Sequence, residues 1–214
     1  MEQIFKDIYL VFPANSTERG RRYTYLIRRP RGNFLLENLD ATPVGDRFDQ
    51  IEQLGGIAAH FINDRHNVST QSAVIGEHFE APFYCSSVEA RVITVDVPML
   101  TPLPYERQWV DDDFEVIPIP GHTRGAFAYL WHTPARQFLF IGDTLVPVDG
   151  GWKVWVPKPS IGLMIESLEM LKQIDFDVLI GNSFASTVFP CFEWTSREKR
   201  SVLDGVIRDL SSSV

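Results

Sequence analysis

The apolar runs of this chain fall into two successive series, each closed by residues at helical spacing, and that order restricts its possible folds more than any single motif. In the first series, residues 8–12, 23–27 and 33–36 are β-branched and aromatic runs broken by turn formers, which predicts antiparallel strands. Phe48, Ile51 and Leu54 then repeat at helical spacing within residues 46–54, Gly55 and Gly56 end that helix, and residues 57–59 read as a short strand. Residues 68–79, with Ser69 or Thr70 as a cap, predict a second helix leading into a strand over 82–85. The second series holds strand candidates over 114–119, 126–131 and 137–141, the last two joined by a turn at 132–135. It closes with an amphipathic helix over 160–174, a buried strand over 176–180 and a surface helix over 193–210. Two series of strands finishing in helices predict two sheets packed face to face with helices outside, a layered α/β sandwich rather than a strictly alternating Rossmann sheet.

At 214 residues and 44% hydrophobic content, such a chain can bury one large core. A protein of this mass exposes roughly 10,000 Å² folded against about 35,000 Å² extended, so a single domain over residues 1–214 is expected. Asp and Glu number 28 against 20 Lys and Arg, and the net charge of −8 argues against nucleic acid and anionic lipid as partners. The dense group Arg19, Arg21, Arg22, Arg28, Arg29 and Arg31 accordingly reads as a solvated hairpin edge rather than a phosphate-binding groove. Glu2, Lys6 and Asp7 interrupt the N-terminal stretch where an export signal needs a basic start and an unbroken apolar run. No segment approaches the roughly 20 apolar residues of a membrane span. Cys85 and Cys191 form no CxxC pair and fit buried thiols in a reducing compartment, so a cytoplasmic location is expected.

Four polar clusters stand at the ends of predicted strands: residues 60–66, 120–125, 142–144 and 181–183. Loops beyond strand ends are where a rigid scaffold presents functional groups. Imidazoles and carboxylates converging from such loops suit a borderline-soft divalent ion such as zinc. The other reading of the same residues is structural, polar side chains that hydrogen-bond one another and the neighbouring backbone.

With Pro120-Gly121-His122-Thr123-Arg124-Gly125 and Phe140-Ile141-Gly142-Asp143-Thr144 in this order after His60-Phe61-Ile62-Asn63-Asp64-Arg65-His66, the chain resembles the metallo-β-lactamase-fold superfamily, the group that includes glyoxalase II, lactonases, β-lactamases and nucleases. The resemblance covers nearly the whole chain and implies a four-layer αββα sandwich. It matches the family landmarks HxHxDH, PGHTxG, GD and a final GH, and departs from the first and last. Ile62 and Arg65 stand where histidines are expected, and Asn182 replaces the last histidine. Carried over residue by residue, the resemblance implies metal ligands at His60, His122, Asp143 and Asp64.

Because Ile62 has no lone pair and Arg65 brings a fixed positive charge, a dinuclear centre is not expected. Arg65 is expected to replace the charge of the missing second ion by pairing with Asp64, Asp143 or both. His66, one position beyond the family's histidine, enters as an accessory ligand if the loop is bulged, and Asn182 as an accessory hydrogen-bond donor. The function implied is a metal-dependent hydrolase with an incomplete, at most mononuclear centre, acting on a small ester, thioester or lactone. Its cofactor would be one divalent ion, zinc before iron or manganese, with Asp64 and Arg65 as catalytic residues. The alternative is a non-catalytic protein without metal that binds a small anion or a protein partner in the same cleft.

Overall fold

A computed structural model describes residues 1–12, 23–37, 44–181 and 191–212. Arg19, Arg21, Arg22 and Asn182 lie outside the described residues. The chain divides into two compact units, Met1–Pro104 and Tyr105–Val214.

The first unit is built on seven strands hydrogen-bonded in sequence order: β1 (Glu2–Phe5), β2 (Ile8–Phe12), β3 (Thr24–Ile27), β4 (Phe34–Leu36), β5 (Ala59–Phe61), β6 (Phe83–Ser86) and β7 (Leu100–Leu103). β1 to β4 pair antiparallel, and β4 to β7 pair parallel. The first two parallel connections pass through α1 (Phe48–Gln53) and α2 (Thr70–Phe79), and the third, from β6 to β7, through turns. Ile51 and Ile75 of these helices bury against Val11, Leu26 and Leu35 on one sheet face. Alternation puts Tyr25, Ile27, Phe34, Leu36 and Phe61 on the opposite face, and they too are buried. Ser69 caps α2 by accepting from the Gln71 amide and exchanging bonds with Ser72.

The second unit carries β8 (Gln108–Asp111), β9 (Phe114–Pro118), β10 (Phe127–His132), β11 (Gln137–Phe140), β14 (Val178–Ile180) and β15 (Cys191–Glu193), in the sheet order β15-β14-β11-β10-β9-β8. A separate hairpin joins β12 (Val146–Val148) to β13 (Gly151–Lys153). Among the described residues of this unit, only β11 and β14 pair parallel. α3 (Ile161–Leu171) and α4 (Ser196–Ser211) cover one face, where Met164, Leu168, Leu203 and Val206 meet Ala128, Leu130 and Leu139. α4 starts with a reciprocal Thr195 and Glu198 capping box.

The structure corrects the sequence reading at several boundaries. β5 begins at Ala59, two residues later than expected, so His60 and Phe61 lie inside the strand and not beyond its end. β1, β7, β8, β15 and the β12–β13 hairpin were not anticipated. They are short and of mixed polarity, and β7 contains Pro102, which a sheet admits at its edge. Of the arginine group, Arg28 pairs with Asp7, while Arg29 is 5% exposed with its guanidinium over the Phe34 ring. Among the described residues no helix is long and apolar enough to cross a membrane.

Candidate functional site

In the first unit, β5 runs into a turn that presents Asp64 and His66. Asp64 adopts extended backbone angles and serves as the N-cap of a short 3-10 turn over Arg65–Asn67, its carboxylate accepting from the His66 amide at 2.8 Å. The Nδ1 atom of His66 lies 3.3 Å from the same Oδ1. Because a carboxylate accepts only, this geometry favours the proton on Nδ1 and directs the ring's lone pair to Nε2. Asp64 is buried and the His66 side chain is 46% exposed, so one edge of the pair meets solvent. Before the turn, the Asn63 amide donates to Glu37 Oε1 at 2.9 Å. Arg65 is turned to Glu89, to which its amide donates at 3.0 Å and its guanidinium at 3.1 Å.

In the second unit, the loop between β9 and β10 presents His122. Gly121 has a φ of +156°, and a Cβ built on it would lie 2.9 Å from Met164 Cα in α3. Only glycine permits this approach of loop to helix. Ser167, one turn further along α3, donates to the Pro120 carbonyl at 2.7 Å. His122 Nδ1 lies 2.6 Å from the main-chain oxygen of Trp155. A carbonyl oxygen cannot donate, so Nδ1 carries the proton and any ligand role falls to Nε2. That Nε2 sits 3.6 Å from Asp143 Oδ2, with both side chains about one-tenth exposed. Asp143 follows β11 on a turn opened by Gly142 at φ +54° and closed by the Thr144 amide donating to the Ile141 carbonyl.

No protein-family model matches the chain. Its sequence is 31% identical, over 169 aligned residues, to the hydroxyacylglutathione hydrolase of Aeromonas hydrophila, covering 74% of this chain and 59% of that protein. The same figures hold for the hydroxyacylglutathione hydrolase of Aeromonas salmonicida, so the chain spans about three-fifths of the length of these relatives. Among solved structures, DIM-1 metallo-β-lactamase superposes with a TM-score of 0.74 at 11% identity, over 100% of this chain and 97% of that one. This is a metallo-β-lactamase-fold protein. A metallo-β-lactamase family protein of Thermus thermophilus agrees, with a TM-score of 0.68 at 16% identity over 98% and 81% of the two chains.

Within this metallo-β-lactamase fold, the residues singled out from sequence have distinct placements. His122 and Asp143 come together in the second unit, and Asp64 and His66 in the first. His60, expected beside them, lies elsewhere. Its register partners are Leu35 and Phe83, so alternation turns it to the helix-covered face of the sheet, where its ring meets Phe83 edge-on at 4.8 Å. It is 1% exposed, and neither ring nitrogen makes a hydrogen bond of acceptable geometry. Burial pulls its pKa down to about 3, opposed only by the backbone of Glu37. The cause is the late start of β5, which makes residue 60 a strand position.

Arg65 also departs from expectation, because its ion pair is with Glu89 and not with Asp64 or Asp143. Ile62 is buried with Phe83, Cys85 and Val97. Burial pushes the Cys85 and Cys191 thiols up to about 12, in keeping with inert roles. Sequence reasoning missed Glu89, Glu37 and the Trp155 carbonyl. Glu89 and Glu37 lie 24 and 26 residues from the groups they hold, and Trp155 acts through its backbone, so no local motif marks any of them.

Proposed function

We propose that the protein is a hydrolase of small thioesters or esters, lactones included, that uses one divalent ion, zinc by preference, with Asp64, His66, His122 and Asp143 as its candidate ligands. The observation that carries this reading is the 2.6 Å contact between His122 Nδ1 and the Trp155 carbonyl, which sets the tautomer a metal-ligating histidine requires. Two imidazoles and two carboxylates form a donor set of nitrogen and oxygen that zinc accepts. The family pattern gives His122 to its first metal position, Asp64 to its second and Asp143 to the bridge, and the ring of His66 beside Asp64 supplies a nitrogen that Ile62 and Arg65 do not. When bound, such an ion supplies Lewis acidity and a nucleophile at neutral pH. Asp64, buried beside His66, is the residue to which the role of base is given. The thioester class is favoured by the hydroxyacylglutathione hydrolases, whose named substrate joins an acyl group to a thiol. Arg65 is bound to Glu89, so its expected charge-replacement pairing with Asp64 or Asp143 is not part of this reading.

The test is metal content by elemental mass spectrometry on protein purified without chelator. About one equivalent per chain is expected, lost in His122→Ala and in His66→Ala and kept in His60→Leu. Less than about a tenth of an equivalent in the parent protein, even after incubation with zinc, would overturn the reading. Metal-loaded protein is then assayed on an acyl-glutathione thioester, an aryl ester and a lactone, with the thioester expected to be turned over fastest.

A further inference from the structure

Arg65 stands where the family pattern has a histidine ligand, and the group that receives it is buried. The Glu89 side chain is 1% exposed. It accepts from the Arg65 amide at Oε2 (3.0 Å), and Nη1 lies 3.1 Å from Oε2 and 3.3 Å from Oε1. Glu89 is itself anchored at the end of β6, its amide donating to Ser86 Oγ at 3.0 Å. One carboxylate therefore grips both the main chain and the side chain of the residue between Asp64 and His66. Around that grip the turn closes on itself, with the Asn67 amide reaching the Asp64 carbonyl at 3.2 Å and the His66 amide reaching Asp64 Oδ1.

We propose that Glu89 is the positioning residue of this turn, and that its pairing with Arg65 holds Asp64 and His66 in ligand geometry before any ion arrives. This rests on reading Asp64 and His66 as ligands. In a turn shaped by its metal, the ion must supply the ordering free energy. Here a charge-assisted, partly buried contact supplies it, which is how a centre that has lost ligands at positions 62 and 65 keeps a preformed half. Loss of an outer partner of this kind weakens metal binding by about 10- to 100-fold.

The test uses the full chain stripped of metal, with Glu89→Gln and Arg65→Lys variants. Amide hydrogen exchange at Arg65, His66 and Asn67 is read by NMR, and affinity for the metal alone by titration with zinc and with cobalt(II), whose visible bands report ligand geometry. In Glu89→Gln, exchange at these three amides is expected to quicken about tenfold or more, with β3 amides unchanged, and the zinc Kd to rise about tenfold or more. Arg65→Lys, which keeps the charge, is expected to stay close to the parent in both measurements. Exchange within about twofold of the parent, or faster exchange with unchanged zinc Kd and cobalt spectrum, would overturn the positioning role. Should the parent bind no ion, the proposed function fails while the exchange measurement still decides whether Glu89 holds the turn. If Glu89→Gln does not fold, Arg65→Gln interrogates the same contact from its exposed side, with the same two outcomes.

Discussion

The turn carrying Asp64 and His66 and the loop carrying His122 are held by different physics. The first is tethered by charge: a buried carboxylate, Glu89, grips Arg65, whose side chain is 39% exposed. The second is held by shape, with Gly121 pressed on Met164 and Ser167 fastened to the Pro120 carbonyl. Contact packing is short-ranged and indifferent to salt, whereas an ion pair with one exposed partner yields to ionic strength and to loss of either charge. The loop of the second unit matches the family motif at all its fixed positions, and the turn of the first departs from it. A packed loop admits few sequences, while a tethered turn tolerates change wherever a new tether forms.

The largest break in this contrast is expected from Gly121→Ala. The added methyl would sit 2.8 Å from Met164 Cε and 2.9 Å from its Cα, and the second of these is backbone that cannot swing aside. Overpacking and an unfavourable φ together cost about 3 kcal/mol or more, which lowers Tm by roughly 6 to 12 °C in a chain of this size. Thermal unfolding followed by circular dichroism measures it. A Tm within about 2 °C of the parent would mean that α3 gives way easily and that the second loop is not held by shape.

The same contrast accounts for what could be read from the sequence. The second-unit loop is contiguous, glycine-marked and flanked by long alternating strands, so its motif, its position and the helix beneath it were all legible. The first-unit turn depends on contacts 24 and 26 residues away, to Glu89 and Glu37, which no spacing rule connects. Residues 57–61, Ile-Ala-Ala-His-Phe, are apolar enough for the strand to begin at any of several positions, and a two-residue difference moved His60 from a loop to the core. Cys191, expected to be buried, is only partly so, whereas Cys85 and the two strand series were read correctly because burial and periodicity are local properties. The edge strands were not, because short segments containing Pro102 or Asp111 gain their pairing only from neighbours already in place.

His60 sharpens the comparison next, since it is a histidine of the first unit held by neither charge nor hydrogen bond. Its folded pKa of about 3 lies below the unfolded value of 6.5. Above pH 6.5 the ring is neutral in both states and stability is unaffected. As pH falls below 6.5 the unfolded chain takes up a proton that the folded chain refuses, so stability declines by about 1.4 kcal/mol per pH unit towards pH 3. At pH 5 the loss relative to pH 7 is on the order of 2 kcal/mol. In His60→Leu this part of the acid response is expected to vanish, read as a smaller difference between urea unfolding free energies at pH 7 and pH 5. An unchanged difference would mean that His60 titrates freely, and its burial would have to open at mild acid.

The smallest effect separates tether from packing most directly. Raising NaCl from about 0.05 M to about 0.5 M screens the exposed side of the Arg65–Glu89 pair, whose partly solvated kind of contact is worth up to about 1 kcal/mol. Amide exchange at Arg65, which donates to Glu89, is expected to quicken two- to fourfold, while exchange at Gly121, which donates to the Thr123 carbonyl, should stay constant. Equal acceleration at both would mean a general loosening of the protein and would remove the distinction. Acceleration confined to the first turn would show that its order is electrostatic, whereas that of the second loop is set by packing.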